Sequence, residues 1–144
     1  MNNSVIFDLD GTLALIEHRK HFIQGEKKNW KAFYEACDLD EPNFPVISVM
    51  NSLKINHYKI YILTGRSDEA LQKTIDWLEA YDCSYDELIM RPQGDFTPDH
   101  ILKEVWIRKI GIDNIAMAFD DRDSVVKMIR SLGITCMQVA SGDF

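Results

Sequence analysis

The chain has 144 residues, 16 Lys and Arg against 23 Asp and Glu, a net charge of −7 and 46% apolar residues. That is the composition of one soluble globular unit, and at this length about 70% of the unfolded surface can be buried without disulfides or a structural metal. No apolar run approaches the ~20 residues of a membrane helix and the N-terminus lacks a basic-then-apolar signal, so a soluble cytoplasmic protein is expected. The acidic balance excludes a broad basic face that coats duplex nucleic acid and leaves room for a local basic pocket. Cys37, Cys83 and Cys136 are odd in number, widely spaced and without a CxxC pair, so they read as reduced, partly buried core residues.

In chain order, Ser4 to Asp8 is a short apolar run ending at an Asp10-Gly11 turn signal, as expected of a first buried strand that ends near Asp8. Residues 15–42 read as a small flap insertion, in which Trp30, Phe33, Tyr34 and Cys37 fall at helical spacing. Val46, Val49, Met50 and Leu53 predict a helix starting near Pro45. Tyr58 to Leu63 predicts a strand, Ser67 to Ala80 a helix, Leu88 to Met90 a short strand and Asp99 to Ile110 a helix. Ile115 to Phe119 predicts a strand, Ser124 to Leu132 a helix and Ile134 to Val139 the last strand. Five strands alternating with helices predict one α/β domain over residues 1–144: a three-layer, Rossmann-like, mainly parallel five-stranded sheet with helices on both faces. Ligands in such a fold sit beyond the carboxyl ends of the strands.

Reactive residues gather at those ends. Asp8 and Asp10, two positions apart, can face the same side of an extended chain, although Asp-Gly between apolar residues is equally a hairpin signal. Thr64-Gly65-Arg66-Ser67 offers a hydroxyl, backbone N–H groups and a guanidinium to an anion, and also reads as a plain turn with Ser67 as helix cap. Asp120-Asp121-Arg122-Asp123 holds more acid than a helix start requires, and adjacent hard oxygen ligands suit Mg²⁺. Lys103 is an ordinary helical lysine unless Asp99, one turn earlier, pairs with it and steers the ammonium toward the strand ends.

Asp8-Leu9-Asp10-Gly11-Thr12, Thr64-Gly65-Arg66, Lys103 and Asp120-Asp121 resemble, in order and context, the four motifs of the haloacid dehalogenase (HAD) superfamily of phosphohydrolases. The likeness is closest to the 3′-phosphatase half of phage polynucleotide kinase-phosphatase and takes in Arg19, Met90-Arg91, Gly94-Asp95, Asp99, Asp120-Asp121-Arg122 and the Gln138 to Phe144 segment. There is no GxxxxGK[ST] loop, so 5′-kinase activity is not implied.

The resemblance implies Asp8 as nucleophile forming an aspartyl phosphate, and Asp10 as the acid that protonates the leaving alcohol and then the base that activates water. It implies Mg²⁺ held by Asp8, the Asp10 carbonyl and one or both of Asp120 and Asp121, with Lys103 as a second positive charge. Thr64, Gly65, Arg66, Arg19, Arg91 and Arg122 would bind substrate, and Asp99 would support Lys103. His18, His21, His57 and His100 lack metal-ligand spacing and read as surface or boundary residues. Trp30, Phe33 and Tyr34 read as flap core, with base stacking as the alternative.

The expected activity is Mg²⁺-dependent removal of 3′-phosphates from polynucleotide ends, with a separate kinase or ligase as partner and no membrane. A mononucleotide phosphatase is the alternative enzyme, and a non-catalytic phosphate-binding module is the reading from a different class.

Overall fold

β1 (Ser4–Phe7) is buried along its whole length, which is why Ser-Val-Ile-Phe forms an unbroken run and not an alternating one. The computed structural model describes residues 2–144. After β1 come β2 (Ala14–Leu15), a 3₁₀ segment (Glu17–Ile23), α1 (Trp30–Glu35), a second 3₁₀ segment (Ala36–Leu39), β3 (Glu41–Pro42) and α2 (Phe44–Ile55). They are followed by β4 (Lys59–Ser67), α3 (Leu71–Ala80), β5 (Glu87–Arg91), α4 (Asp99–Ile110), β6 (Ile115–Asp120), α5 (Asp123–Ser131) and β7 (Cys136–Gln138).

The main sheet has the order β5-β4-β1-β6-β7 with every pair parallel. From β1 the chain builds outward through β4 and β5, then returns to add β6 and β7 on the other side. The strand order therefore reverses at β1, and a crevice opens beyond its carboxyl end. Alternation sorts the sheet's side chains into two cores. Val5, Phe7, Ile60 and Ile62 pack with Ile47 and Met50 of α2 and Trp77 and Leu78 of α3. Ile6, Tyr61, Leu63 and Ala118 pack on the opposite face with Ile107 of α4 and Val125 and Ile129 of α5. The three-layer α/β architecture expected from the sequence is the one formed.

Two local features differ from expectation. β4 runs on through Ser67 because the register with β5 shifts between Thr64 and Ser67, bringing Ser67 opposite Arg91. The α-helix then starts only at Leu71, after a 3₁₀ turn over Asp68–Ala70 that Ser67 caps. In addition, β2 and β3 pair antiparallel as a separate two-stranded ribbon; segments of two residues carry no readable periodicity. Among the described residues, no helix is long and apolar enough to cross a membrane. Cys37 and Cys136 are buried, Cys83 is half-buried, and all three are free thiols.

Candidate active site

The ends of β1 and β6 lie side by side. Phe7 and Phe119 stand in register with stacked rings 4.5 Å apart, and the Asp8 N–H donates to the Phe119 carbonyl (3.0 Å). This fixes Asp8 immediately beyond β1 and places Asp120 beside it. Lys103 of α4 donates from Nζ to Asp8 Oδ1 (2.7 Å) and Asp120 Oδ2 (2.9 Å), while Thr12 Oγ1 donates to Asp8 Oδ2 (3.0 Å). Asp120 Oδ1 accepts from the backbone N–H groups of Asp121 and Arg122, closing the turn that opens α5. The carboxylates of Asp8, Asp120 and Asp121 offer oxygens within 4.8 Å of one another, all buried. Gly11, at φ +86°, is the close approach that makes this packing feasible: a Cβ there would strike the Asp121 carboxylate.

The electrostatics of this group are unbalanced, with three buried carboxylates facing one ammonium. Burial and the neighbouring Asp120 push the Asp8 carboxyl well above the usual range, although Lys103 opposes them. Burial likewise lifts Asp121, reinforced by Asp120. Burial would lower the Lys103 ammonium, but Asp120 and Asp8 override it and keep it charged. A compact set of hard oxygens with surplus negative charge fits a small divalent cation.

A second, balanced cluster lies next to it. Asp10 Oδ1 accepts from Arg19 Nη2 (2.8 Å) and from Arg66 Nη2. Asp40 accepts from Arg19 Nε and Nη2 (both 2.7 Å), from Arg66 Nη2 (3.2 Å) and pairs with His18 Nε2 (2.6 Å). Trp77 Nε1 donates to the Asp40 carbonyl, and Arg66 Nη1 donates to Thr74 Oγ1. The Arg19 guanidinium lies 4.3 Å from the Phe33 ring centre, so Phe33 serves the flap's interior. Burial alone would raise the Asp10 carboxyl, but Arg66 and Arg19 outweigh it and hold it down at about 2. Arg66 Nε is buried without a hydrogen-bond partner.

The first cluster and, from the second, Asp10 and Arg66 line one cavity of about 730 Å³. Thr64 is fully buried in its wall, with Oγ1 accepting from the Arg66 N–H and the hydroxyl hydrogen left to donate. At the rim, Arg91 donates to the carbonyls of Gly65 (2.7 Å), Asp95 (3.0 Å) and Thr97 (2.6 Å) and to Asp99 Oδ1. Arg122 donates from Nη1 to Asp99 Oδ2 (2.9 Å) and from Nε to the Phe144 carbonyl (3.0 Å). Gly65 lies so close to Asp99 that a Cβ would collide with its carboxylate.

The structure therefore brings the singled-out residues to the lining of one cavity, except Arg19, which is fully buried behind Asp10, and it corrects one pairing. Asp99 is engaged by Arg91 and Arg122, not by Lys103, whose Nζ reaches past it to Asp8 and Asp120. A buried ammonium is drawn to the deficit of positive charge at the strand ends, whereas Asp99 finds two guanidiniums at the rim. Lys103 is correspondingly 3% exposed, far from the solvated lysine of the ordinary helical pattern. Asp40 and Thr12 were not singled out for a role. Thr12 follows directly on Asp8-Leu9-Asp10-Gly11, a signal that was present; Asp40 has no local signal, since its partners lie 21 and 26 residues away.

Comparisons with known proteins agree with this geometry. A family model described as the polynucleotide kinase PNKP phosphatase domain matches residues 2–144. A bifunctional polynucleotide kinase/RNA ligase of Autographa californica nuclear polyhedrosis virus is 34% identical over 137 residues, which is 91% of this chain and 18% of that protein. Two structures of the Pnkp1/Rnl/Hen1 complex, one described as an RNA repair complex, contain chains 33% and 35% identical with TM-scores of 0.85 and 0.83; the alignments cover 98% and 100% of this chain and 43% and 48% of theirs. The chain thus spans less than half the length of these relatives. CbbY from Rhodobacter sphaeroides, solved with phosphate, shares the fold at 14% identity and a TM-score of 0.67, covering 100% of this chain and 88% of its own. By a family match over nearly its whole length and by its strand-end chemistry, the chain belongs to the HAD-type phosphatases of the polynucleotide kinase-phosphatase family.

Proposed function

We propose that this chain is a Mg²⁺-dependent phosphomonoesterase that removes 3′-phosphates from polynucleotide ends through an aspartyl phosphate. The observation that carries the reading is the under-compensated group of Asp8, Asp120 and Asp121 at the floor of a cavity whose wall offers Thr64 and Arg66 to an anion.

Asp8 attacks phosphorus in line, forming an Asp8 Oδ–P bond as the bond from phosphorus to the nucleoside oxygen breaks. Asp10 gives its proton to that oxygen. Water then attacks phosphorus, Asp10 takes the water's proton, and Asp8 is released with inorganic phosphate. Asp10 is ionised in the resting site, so it takes up a proton from solvent on entry of the substrate: the phosphate's charge raises its pKa and competes for the guanidinium of Arg66. Thr64 and Arg66 donate to phosphoryl oxygens, and Lys103 holds Asp8 in line while adding positive charge. Repulsion between carboxylate and phosphate is on the order of 4 kcal/mol per unit charge pair at ~4 Å and an effective dielectric of ~20. Asp8, Asp120, Asp121 and the Asp10 carbonyl would hold Mg²⁺, which when bound supplies the charge that offsets this repulsion. The 3′-hydroxyl product is the end a ligase needs, and the relatives couple the domain to kinase and ligase activities or complexes, which supports a separate kinase or ligase as partner.

Phosphate release from a 3′-phosphorylated oligonucleotide and from 3′- and 5′-mononucleotides, with Mg²⁺ or EDTA, tests this reading. Oligonucleotide preference that vanishes in EDTA supports it. Preference for mononucleotides moves the activity to nucleotide metabolism, and release that survives both EDTA and Asp8→Asn overturns the mechanism.

A further inference from the structure

Large apolar side chains at the mouth of a polar site are the feature that phosphate chemistry alone leaves unused. Phe96 is 88% exposed and Trp30 is 41% exposed, and both line the cavity that holds Asp8. Neither exposure comes from a loosely held segment. Phe96 sits between two carbonyls that Arg91 grips, those of Asp95 and Thr97, and the Thr97 N–H donates to Asp95 Oδ1 (2.9 Å) while the Asp95 N–H donates to the Pro92 carbonyl (3.0 Å). Hydrogen bonds on both sides thus hold the backbone that presents the Phe96 ring to water. Trp30 is supported from behind, stacked on Tyr34 at 5.9 Å and 28° and edge-on to Phe33 at 5.6 Å. Burial pushes the Tyr34 hydroxyl up to about 12, as expected of the inner member of that stack.

Building on the 3′-phosphatase reading, we propose that Phe96 and Trp30 form a nucleobase subsite, on which the base of the terminal nucleotide stacks while its 3′-phosphate reaches Asp8. The cavity volume of about 730 Å³ is far larger than a phosphate needs and lies in the range of pockets for nucleotide-sized ligands. The cavity wall sets the guanidiniums of Arg66, Arg91 and Arg122 and the Lys103 ammonium among its carboxylates, and exposed aromatic rings stand beside them, a combination that suits a phosphate linked to a flat π-system. Stacking is tolerant of sequence because every base has a π-face, so the subsite requires the presence of a base and is indifferent to which one.

The test is calorimetric binding to the full-length Asp8→Asn protein in Mg²⁺, using a 3′-phosphorylated trinucleotide and the same molecule with an abasic 3′-terminal residue. The base-bearing ligand is expected to bind about tenfold more tightly. Adding Phe96→Ala is expected to reduce that preference to a few-fold, and Phe96→Trp to retain it. Equal affinity for the two ligands, no measurable binding of either, or a preference untouched by Phe96→Ala overturns the proposal. Turnover of the base-bearing ligand by the wild-type protein, measured in parallel, reads the phosphatase assignment separately.

Discussion

Two groups of carboxylates lie side by side in this molecule and are handled in opposite ways. Asp8, Asp120 and Asp121 share one ammonium, from Lys103, and burial with mutual repulsion raises Asp8 and Asp121. Asp10 and Asp40 share two guanidiniums, from Arg19 and Arg66, and Asp10 is lowered. The first group is incomplete by itself and gains from a cation or a phosphoryl group. The second is matched in charge and holds the Asp10 carboxylate in place. Surplus charge draws in a ligand; matched charge fixes a group in position.

The widest separation between the two groups should come from Asp8→Asn. Turnover is expected to fall at least about 10³-fold, as loss of a nucleophile implies. Yet in EDTA the same substitution relieves repulsion and should raise the unfolding midpoint by a few degrees. A fall in that midpoint would break the contrast.

Arg19→Ala should do the reverse. It leaves the buried Asp40 and the half-buried Asp10 with one guanidinium between them, at a cost of about 3–5 kcal/mol in denaturant unfolding. Arg19→Lys should recover only part of that, because the fork geometry onto Asp10 and Asp40 is lost.

A smaller effect comes from the cation. Mg²⁺ at a hundredfold excess over its Kd should stabilise the wild type by about 2.7 kcal/mol, and Asp121→Asn should abolish most of that gain. Thermal unfolding with and without Mg²⁺ reads it.

Smallest is the acid limb of the stability profile. The Asp10 carboxyl lies below its unfolded value, so its contribution is fully present above about pH 4 and is lost as pH falls through about 2. That contribution is roughly 2 kcal/mol, and Asp10→Asn should flatten this limb of a urea-midpoint profile.

The contrast also explains what could be read in the sequence. The five sheet strands announce themselves through apolar runs, Asp8 and Asp120 sit at or next to strand ends, and Thr64 sits where the β4 register shifts, so one local pattern carries both fold and site. Lys103 and Asp99 occupy one helix, and their i,i+4 spacing suggested a pair that the longer-range pull of Asp8 and Asp120 overrules. Asp40 is the harder case. It lies beyond a 3₁₀ segment, beside the two-residue strand β3, and its importance rests on arginines from two distant parts of the chain. Charge balance across a folded core has no period, so no window of sequence displays it.

The path of the backbone after β7 has a practical side. That segment returns over the start of α5, with the Asp123 N–H donating to the Gly142 carbonyl (2.6 Å), Arg122 Nε to the Phe144 carbonyl and the Phe144 ring lining the cavity. A purification tag or fluorescent fusion attached after Phe144 would leave the protein at the entrance through which substrate arrives. β1 begins at Ser4, at the far end of the strand from Asp8, so attachment ahead of it keeps the entrance clear.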